Sequence, residues 1–311
     1  MSNLMFIFTS VILPVFIQIG VGFFIHKKFR INLQTLAKVQ FYAFIPALLF
    51  NRIYHSEFEG GDILLVVAYA VLLFFLLTLL ATLASRLFHF DIKREKSLVN
   101  AATLINAGNF SLPLVELLYA GPLVGVALTV QVFFMLCQNI LMNTFGLLNC
   151  TVGRYSVKEG LLKVLRMPII YAIALAFLVK GLHIPVPMPI MSATEIMSRG
   201  LVPVAIFTLG AQLADTKIQL RSVAVYVPVF LRLFISPMIG FLLITLLGID
   251  GLMAQVLLIA SAAPSAVNSL LLAIEFDADP EYASQTVFLT TLLSAVTVSV
   301  VIMIAQNIYT I

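Results

Sequence analysis

The sequence has no tryptophan and only two cysteines, and 10% of its 311 residues are charged. An ordinary soluble domain carries about 25% charge. Eighteen Lys and Arg with 14 Asp and Glu cannot clothe a soluble fold of this length, so a soluble enzyme is excluded. Cys137, within an apolar run, and Cys150, at its end, form neither a disulfide framework nor a metal site. They read as small apolar fillers. His26, His55, His89 and His183 are scattered over the ends of apolar runs, where interfacial placement explains them, and no metal or other cofactor is expected. The net charge is +4 and the pI about 9.1. The basic residues sit in short clusters between apolar runs rather than as a stripe on a wet surface, so no nucleic-acid partner is expected. No basic segment precedes the first apolar run and no convincing cleavage site follows it, so no cleaved signal is expected.

What the chain has instead is apolar length. Hydrophobic residues make up 61% and the mean hydropathy is +1.10. Residues 5–25, 63–85, 251–274 and 282–311 contain no charged residue and do not alternate, and the first also lacks histidine. A spanning helix needs about 20 apolar residues and a spanning strand about 10 that alternate. Runs this long in hydrocarbon can satisfy their backbone only as helices. The expected fold class is an all-α polytopic membrane protein with the lipid bilayer as its solvent. Ten spans are expected at about 5–25, 34–54, 63–88, 97–119, 122–149, 165–182, 190–214, 221–247, 251–275 and 281–309.

Most of the 18 basic residues fall in four connections: Lys27, Lys28 and Arg30; Arg86, Lys93, Arg94 and Lys96; Arg154, Lys158, Lys163 and Arg166; Lys217 and Arg221. The positive-inside rule puts these in the cytoplasm and both termini outside. The acidic or neutral connections are expected on the other side: Glu57, Glu59 and Asp62; 119–122; Asp250; and Glu275, Asp277, Asp279 and Glu281. Ten spans divided by the long basic connection 151–166 make two inverted five-helix repeats, residues 1–150 and 151–311. Inverted repeats characterise secondary transporters.

Each repeat contains one interrupted span. Span 4 carries NAGNFSLP (106–113) and span 9 carries SAAPSAVNS (261–269). Proline removes a backbone donor and frees a carbonyl. Polar backbone at membrane depth is tolerated where it is buried in protein or lines a cavity. Asn109 and Pro113 are four apart, as are Pro264 and Asn268. A paired break of this kind points to a substrate site. Pro14, Pro46, Pro203, Pro228 and Pro237 read as simple kinks. In span 5, TVQVFFMLCQNILMN (129–143) has an echo in SQTVFLTTLLSA (284–295) of span 10. Gln131 and Gln138, seven apart, share a face. Together Asn106, Asn109, Pro113, Gln138, Asn139, Pro264 and Asn268 are the candidate substrate-binding residues. The N-termini of the half-helices restarting after Pro113 and Pro264 would add partial positive charge for an anion.

Two charges lie at membrane depth, Glu116 in span 4 and Arg232 in span 8, and each is a candidate for a charge role. Glu195 and Arg199, one turn apart, read as a structural pair.

The stretches NAGNFSLPLVELLYAGP, the Gln138-Asn139 pair, PVAIFTLGAQLA and AAPSAVNSLLLAIEFDADPEYASQTVFLTTLLS resemble the auxin efflux carrier family, in a short bacterial form. The resemblance covers essentially the whole chain. It implies a fold similar to bile-acid:sodium symporters, with spans 1, 2, 6 and 7 as a scaffold and spans 3–5 and 8–10 as a moving transport domain. It further implies broken spans 4 and 9 that cross, a carboxylate substrate such as malate, malonate or an auxin-like acid, a homodimer through the scaffold, and the bacterial inner membrane. Ser111-Leu112 fills a stretch where the family commonly has glycine, and Ser261-Ala262-Ala263 stands where sodium-coupled relatives carry an acidic residue. The expected function is therefore a secondary carrier for a small organic anion working by an elevator-type motion. The alternative is a sodium-coupled symporter of the bile-acid type. An intramembrane enzyme lacks its motifs here, since there is no HExxH, GxSxG or DDxxD. A sensor would need a signalling domain that the sequence does not carry.

Overall fold

The computed structural model describes residues 3–55, 60–121, 123–151, 162, 165–166, 168–216 and 223–311. Among the described residues, seven helices are long and apolar enough to cross a membrane. They are α1 (Leu4–Phe29), α2 (Leu33–His55), α3 (Gly61–Leu87), α6 (Leu123–Cys150), α8 (Met188–Ala214), α9 (Val223–Leu247) and α12 (Pro280–Ile308). Between them lie α4 (Ile92–Thr103), α5 (Leu112–Leu118), α7 (Pro168–Gly181), α10 (Gly251–Ser261) and α11 (Val267–Glu275). The expected spans 4 and 9, read from the sequence as interrupted, and the expected span 6 are not among these seven. Spans 4 and 9 are each built from two shorter helical pieces, and span 6 is a helix of 14 residues. The expected basic residues Arg154, Lys158, Lys163, Lys217 and Arg221, and the acidic Glu57 and Glu59, lie outside the described residues.

Local sequence sets the helix ends. Asn32 starts α2 by accepting from Thr35 N at 2.9 Å. Asp91 starts α4 by accepting from the backbone of Lys93 and Arg94, both at 3.0 Å, and Asp279 starts α12 by accepting from Tyr282 N. These side-chain oxygens satisfy N–H groups that a helix start leaves open. The Arg94 N–H bond holds the Asp91 carboxyl below its usual range. Prolines act on the helix interiors. Widened π-helical turns at Phe8–Ile12, Gln40–Phe44, Ala107–Ser111 and Leu231–Ile235 each end two residues before a proline: Pro14, Pro46, Pro113 and Pro237. The wider turn accommodates a ring that would otherwise clash with the preceding turn's carbonyl.

Packing brings α1 against α8 and α2 against α7. Gly22 and Gly210 set the first of these contacts. A Cβ on Gly22 would lie 2.2 Å from the Phe207 carbonyl oxygen, and one on Gly210 would lie 2.0 Å from that of Ile19. The two backbones therefore touch. A second group packs α3 against α4, α6 and α9, and α10 against α6, α9 and α12. Buried apolar residues from Ile7 and Leu49 through Phe110 to Ile302 form the main core. Phe24, Leu79 and Leu246 stand exposed on the outside, the arrangement expected where lipid rather than water is the neighbour.

Ion pairs mark one end of the bundle. His26 Nε2 and Arg30 reach Asp215 at 3.0 and 3.5 Å. Arg94 reaches Asp279 at 3.0 Å, and Lys93 pairs with Asp277. At the other end Tyr119 donates to Gln255 at 2.8 Å, and Glu195 pairs with Arg199 at 3.2 Å, as the helical spacing predicts. Surface pairs contribute only about 0–1 kcal/mol, so their use here is as position markers. They correct the sequence reading of the 275–281 connection. Asp277 and Asp279 lie with the basic Lys93 and Arg94, not opposite them, because a direct ion pair cannot reach across a bilayer about 30 Å thick.

Two outcomes follow. Cysteines replacing Lys93 and Asp277 will react with an impermeant maleimide from the same side, and one replacing Asp250 from the other; opposite labelling of the first two would refute this arrangement. Gly210→Val will lower the thermal unfolding midpoint and the yield of detergent-purified protein, because no flexible side chain can move to admit the new atoms.

Candidate functional site

The chain leaves helical geometry at residues 104–106 and again at 262–266. The two interruptions meet in a single antiparallel bridge, Ile105 with Ser265. Asn106 N donates to Pro264 O at 3.0 Å, and Ala266 N donates to Leu104 O at 2.8 Å. These two bonds flank the bridge, so Ile105 and Ser265 form the kind of pair whose own N–H groups point outward. Each of those N–H groups finds a side chain on the following long helix. Ile105 N donates to Gln138 Oε1 on α6 at 3.4 Å. Ser265 N donates to Thr290 Oγ1 on α12 at 3.2 Å. Spans 5 and 10 thus each supply a side-chain acceptor to one backbone N–H of the bridge.

The free carbonyls where α4 and α10 end are also answered. Ser265 Oγ donates to Ala101 O at 2.6 Å. Arg232 donates from one nitrogen to Ala102 O at 2.9 Å and from the other to Ser261 O and Ser236 Oγ. Ser236 Oγ donates to Ser261 O at 2.7 Å, and Tyr69 OH to Leu257 O at 3.0 Å.

Beside the bridge lies a cavity of about 280 Å³. Its walls are Asn106 and Asn109 from the first break, Gln138 and Asn139 from α6, Asn268 from α11, and Gln40, Thr208 and Gln212 from α2 and α8. It extends to Leu33 and Gln34 at the start of α2, the end marked by the basic connections. No Asp, Glu, Lys, Arg or His lines it among the described residues. Most of the remaining wall is Leu, Ile, Phe, Met, Val and Ala.

Two of the lining amides have their orientation forced. A backbone N–H only donates, so the Gln138 atom facing Ile105 N is its oxygen, and its Nε2 is left over. Asn106 Oδ1 likewise accepts from Asn109 N at 3.2 Å. Its Nδ2 is left over in turn. Both nitrogens are buried and among the described residues have no partner, on residues 6% and 4% exposed. Asn109 spans the cavity to Gln212 Oε1 at 3.5 Å, and Gln40 donates to Thr208 Oγ1 at 2.8 Å. Gln131 sits behind, donating to Ala107 O at 2.9 Å.

A match to the family described as membrane transport protein covers residues 6–159 and again 153–302. The chain belongs to this auxin efflux carrier-like membrane transport family. The family resemblance read from the motifs is thereby established, and the protein is a multi-pass membrane protein of a transporter family. An uncharacterized transporter of Methanothermobacter thermautotrophicus is 27% identical over 85% of this chain and 86% of its own length. An uncharacterized transporter of Methanocaldococcus jannaschii is 27% identical over 37% of each chain.

Within this membrane transport protein, five sequence-derived candidates, Asn106, Asn109, Gln138, Asn139 and Asn268, share the cavity wall. Four do not. Pro113 lies buried inside the second helical piece, because the chain is already helical from Ala107; the first break precedes it. Pro264 lies in the second break and uses its carbonyl to hold the bridge. Arg232 faces the carbonyl ends of α4 and α10, away from the cavity. Glu116 is half-buried at the opposite end of the bundle, in the field of Arg52, Glu195 and Arg199. Sequence reasoning does not single out Gln40, Thr208 or Gln212; Thr208 and Gln212 both lie in the PVAIFTLGAQLA stretch, but only distant partners, Gln40 and Asn109, give them a role.

The Gln138 geometry has a stability consequence. Gln138→Leu strands a buried Ile105 N–H, which costs about 1–3 kcal/mol, and the unfolding midpoint will fall. Gln138→Glu keeps an oxygen there and will fall less. Equal midpoints for the two variants would show that the Ile105 bond carries no stability.

Proposed function

We propose that the protein is a secondary carrier for a small organic anion, a carboxylate such as malate, malonate or an auxin-like acid. The carrying observation is the pair of buried, partnerless amide N–H donors of Asn106 and Gln138 beside the bridge. Leaving such donors unpaired is costly, and an acceptor-rich ligand removes the cost. The N-terminus of α11, whose cap residue Ala266 offers no side-chain acceptor, adds partial positive charge on the same cavity. With no fixed counter-charge in the wall, binding stays reversible, as a carrier requires.

In this reading the ten passages form two inverted repeats, 1–150 and 151–311, with α4–α5 and α10–α11 as the crossing broken helices. Helices α1, α2, α7 and α8 are the scaffold, through which a homodimer forms, and α3–α6 with α9–α12 are the moving unit. Contact of both groups with one cavity supports an elevator-type motion. With the basic connections cytoplasmic, both termini are outside the bacterial inner membrane and the cavity faces inward. A volume near 280 Å³ is small against typical drug-sized pockets of about 300–1,000 Å³, which favours a small acid over a steroid-sized one and counts against a bile-acid type of symporter.

The test is uptake of labelled malonate, malate and indole acetate into proteoliposomes, with proton and sodium gradients varied separately. Asn106→Asp and Gln138→Glu each preserve the internal acceptor and replace the free donor with a carboxylate. Loss of a hydrogen bond to a charged ligand, about 1.5–3 kcal/mol, will lower affinity roughly tenfold or more. Unchanged affinity in both variants would place the anion elsewhere.

A further inference from the structure

Arg232 is fully buried, and among the described residues no carboxylate pairs with it. Its two Nη nitrogens instead reach two backbone carbonyls, Ala102 O in the last turn of α4 and Ser261 O at the end of α10, and the hydroxyl of Ser236, while Nε has no partner among the described residues. The groups packed around it, Tyr69, Ser236 and Ser261, are neutral. A helix C-terminus carries about half a negative elementary charge. Two of them converge here, so the local field sums to about one negative charge, and the guanidinium matches it. Two carbonyl oxygens and a hydroxyl oxygen around one positive charge also form the ligand set of a hard monovalent cation, since carbonyl oxygens can replace the hydration shell of such an ion.

We propose that Arg232 is a resident cation of the helix crossing, occupying with its guanidinium a carbonyl-built site that would otherwise take a sodium ion. The wild-type protein then needs no bound monovalent cation to hold the two breaks together. Neutralising Arg232 converts the same oxygens into a cation-binding site. This inference does not depend on the anion reading: it concerns the C-terminal ends of the half-helices, not the cavity, and it is read without any transported substrate.

The experiment is thermal unfolding of purified full-length protein in sodium, potassium or choline chloride at equal ionic strength, with low guanidinium as an additional arm. Wild type will show the same midpoint in all three salts. Arg232→Gln keeps a donor but loses the charge; its midpoint will be lower in choline and will rise saturably with sodium or guanidinium. Arg232→Lys keeps the charge and will remain salt-indifferent and more stable than Arg232→Gln. If Arg232→Gln can be purified only when sodium is present throughout, that too supports the assignment. If Arg232 serves only as a hydrogen-bonding packer, Arg232→Gln will equal or exceed Arg232→Lys and will ignore the cations, which overturns the proposal. A sodium-specific rise in the wild-type midpoint would overturn it as well.

Discussion

The structure depends on one constraint: backbone polar groups that leave a helix inside the membrane must find partners within the protein. Two interruptions supply each other. Asn106 N and Ala266 N donate across the bridge, and its geometry then turns the Ile105 and Ser265 N–H groups outward. That fixes what must stand on the neighbouring helices, an oxygen from Gln138 and one from Thr290. Each unmet group in hydrocarbon would cost several kcal/mol, so the side chains around the crossing are dictated by its backbone. The cavity amides are a by-product of this demand. Gln138 is needed for its oxygen, and the same residue leaves its buried nitrogen without a partner among the described residues.

Electrostatics divides the crossing into two unlike faces. On one face the C-terminal ends of α4 and α10 meet Arg232, whose two Nη nitrogens and the neighbouring Ser236 and Ser265 hydroxyls donate to the carbonyls there. On the other face lie the N-terminal end of α11 and the cavity amides, with no acidic residue in the wall among the described residues. One face has its counter-charge built in and the other leaves it to a ligand. Arg232 thereby belongs to the frame of the site rather than to its contents.

The cavity lies where two differently packed groups of helices meet. The α1–α8 contact has backbone against backbone, set by Gly22 and Gly210, and resists sliding. The cavity contact is looser, with Asn109 to Gln212 at 3.5 Å as a bridge across it. One contact is therefore close backbone packing and the other a polar, partly open seam.

Much of this was legible in the sequence. Hydropathy is a local property, so the membrane class, the approximate spans and the two polar, proline-bearing breaks followed from composition and run length alone. So did five of the cavity residues, because amides at membrane depth stand out against an apolar background. Hydrogen-bond satisfaction is not local. Arg232 and Ala102 are 130 positions apart, and Ser265 and Ala101 are 164 apart. Whether a buried arginine serves a ligand or a pair of carbonyls cannot be read from its neighbours in the chain. The negative charge of the 275–281 connection misleads about its side, because acidic residues orient a membrane protein weakly; its place after the ninth expected span already puts it with the basic connections, and the pairing of Asp277 with Lys93 agrees. The sequence by itself determined where backbone must break inside the membrane, since that depends on residues next to one another. Tertiary structure alone decided which atoms at those breaks are spent and which are free, since each partner comes from a distant part of the chain.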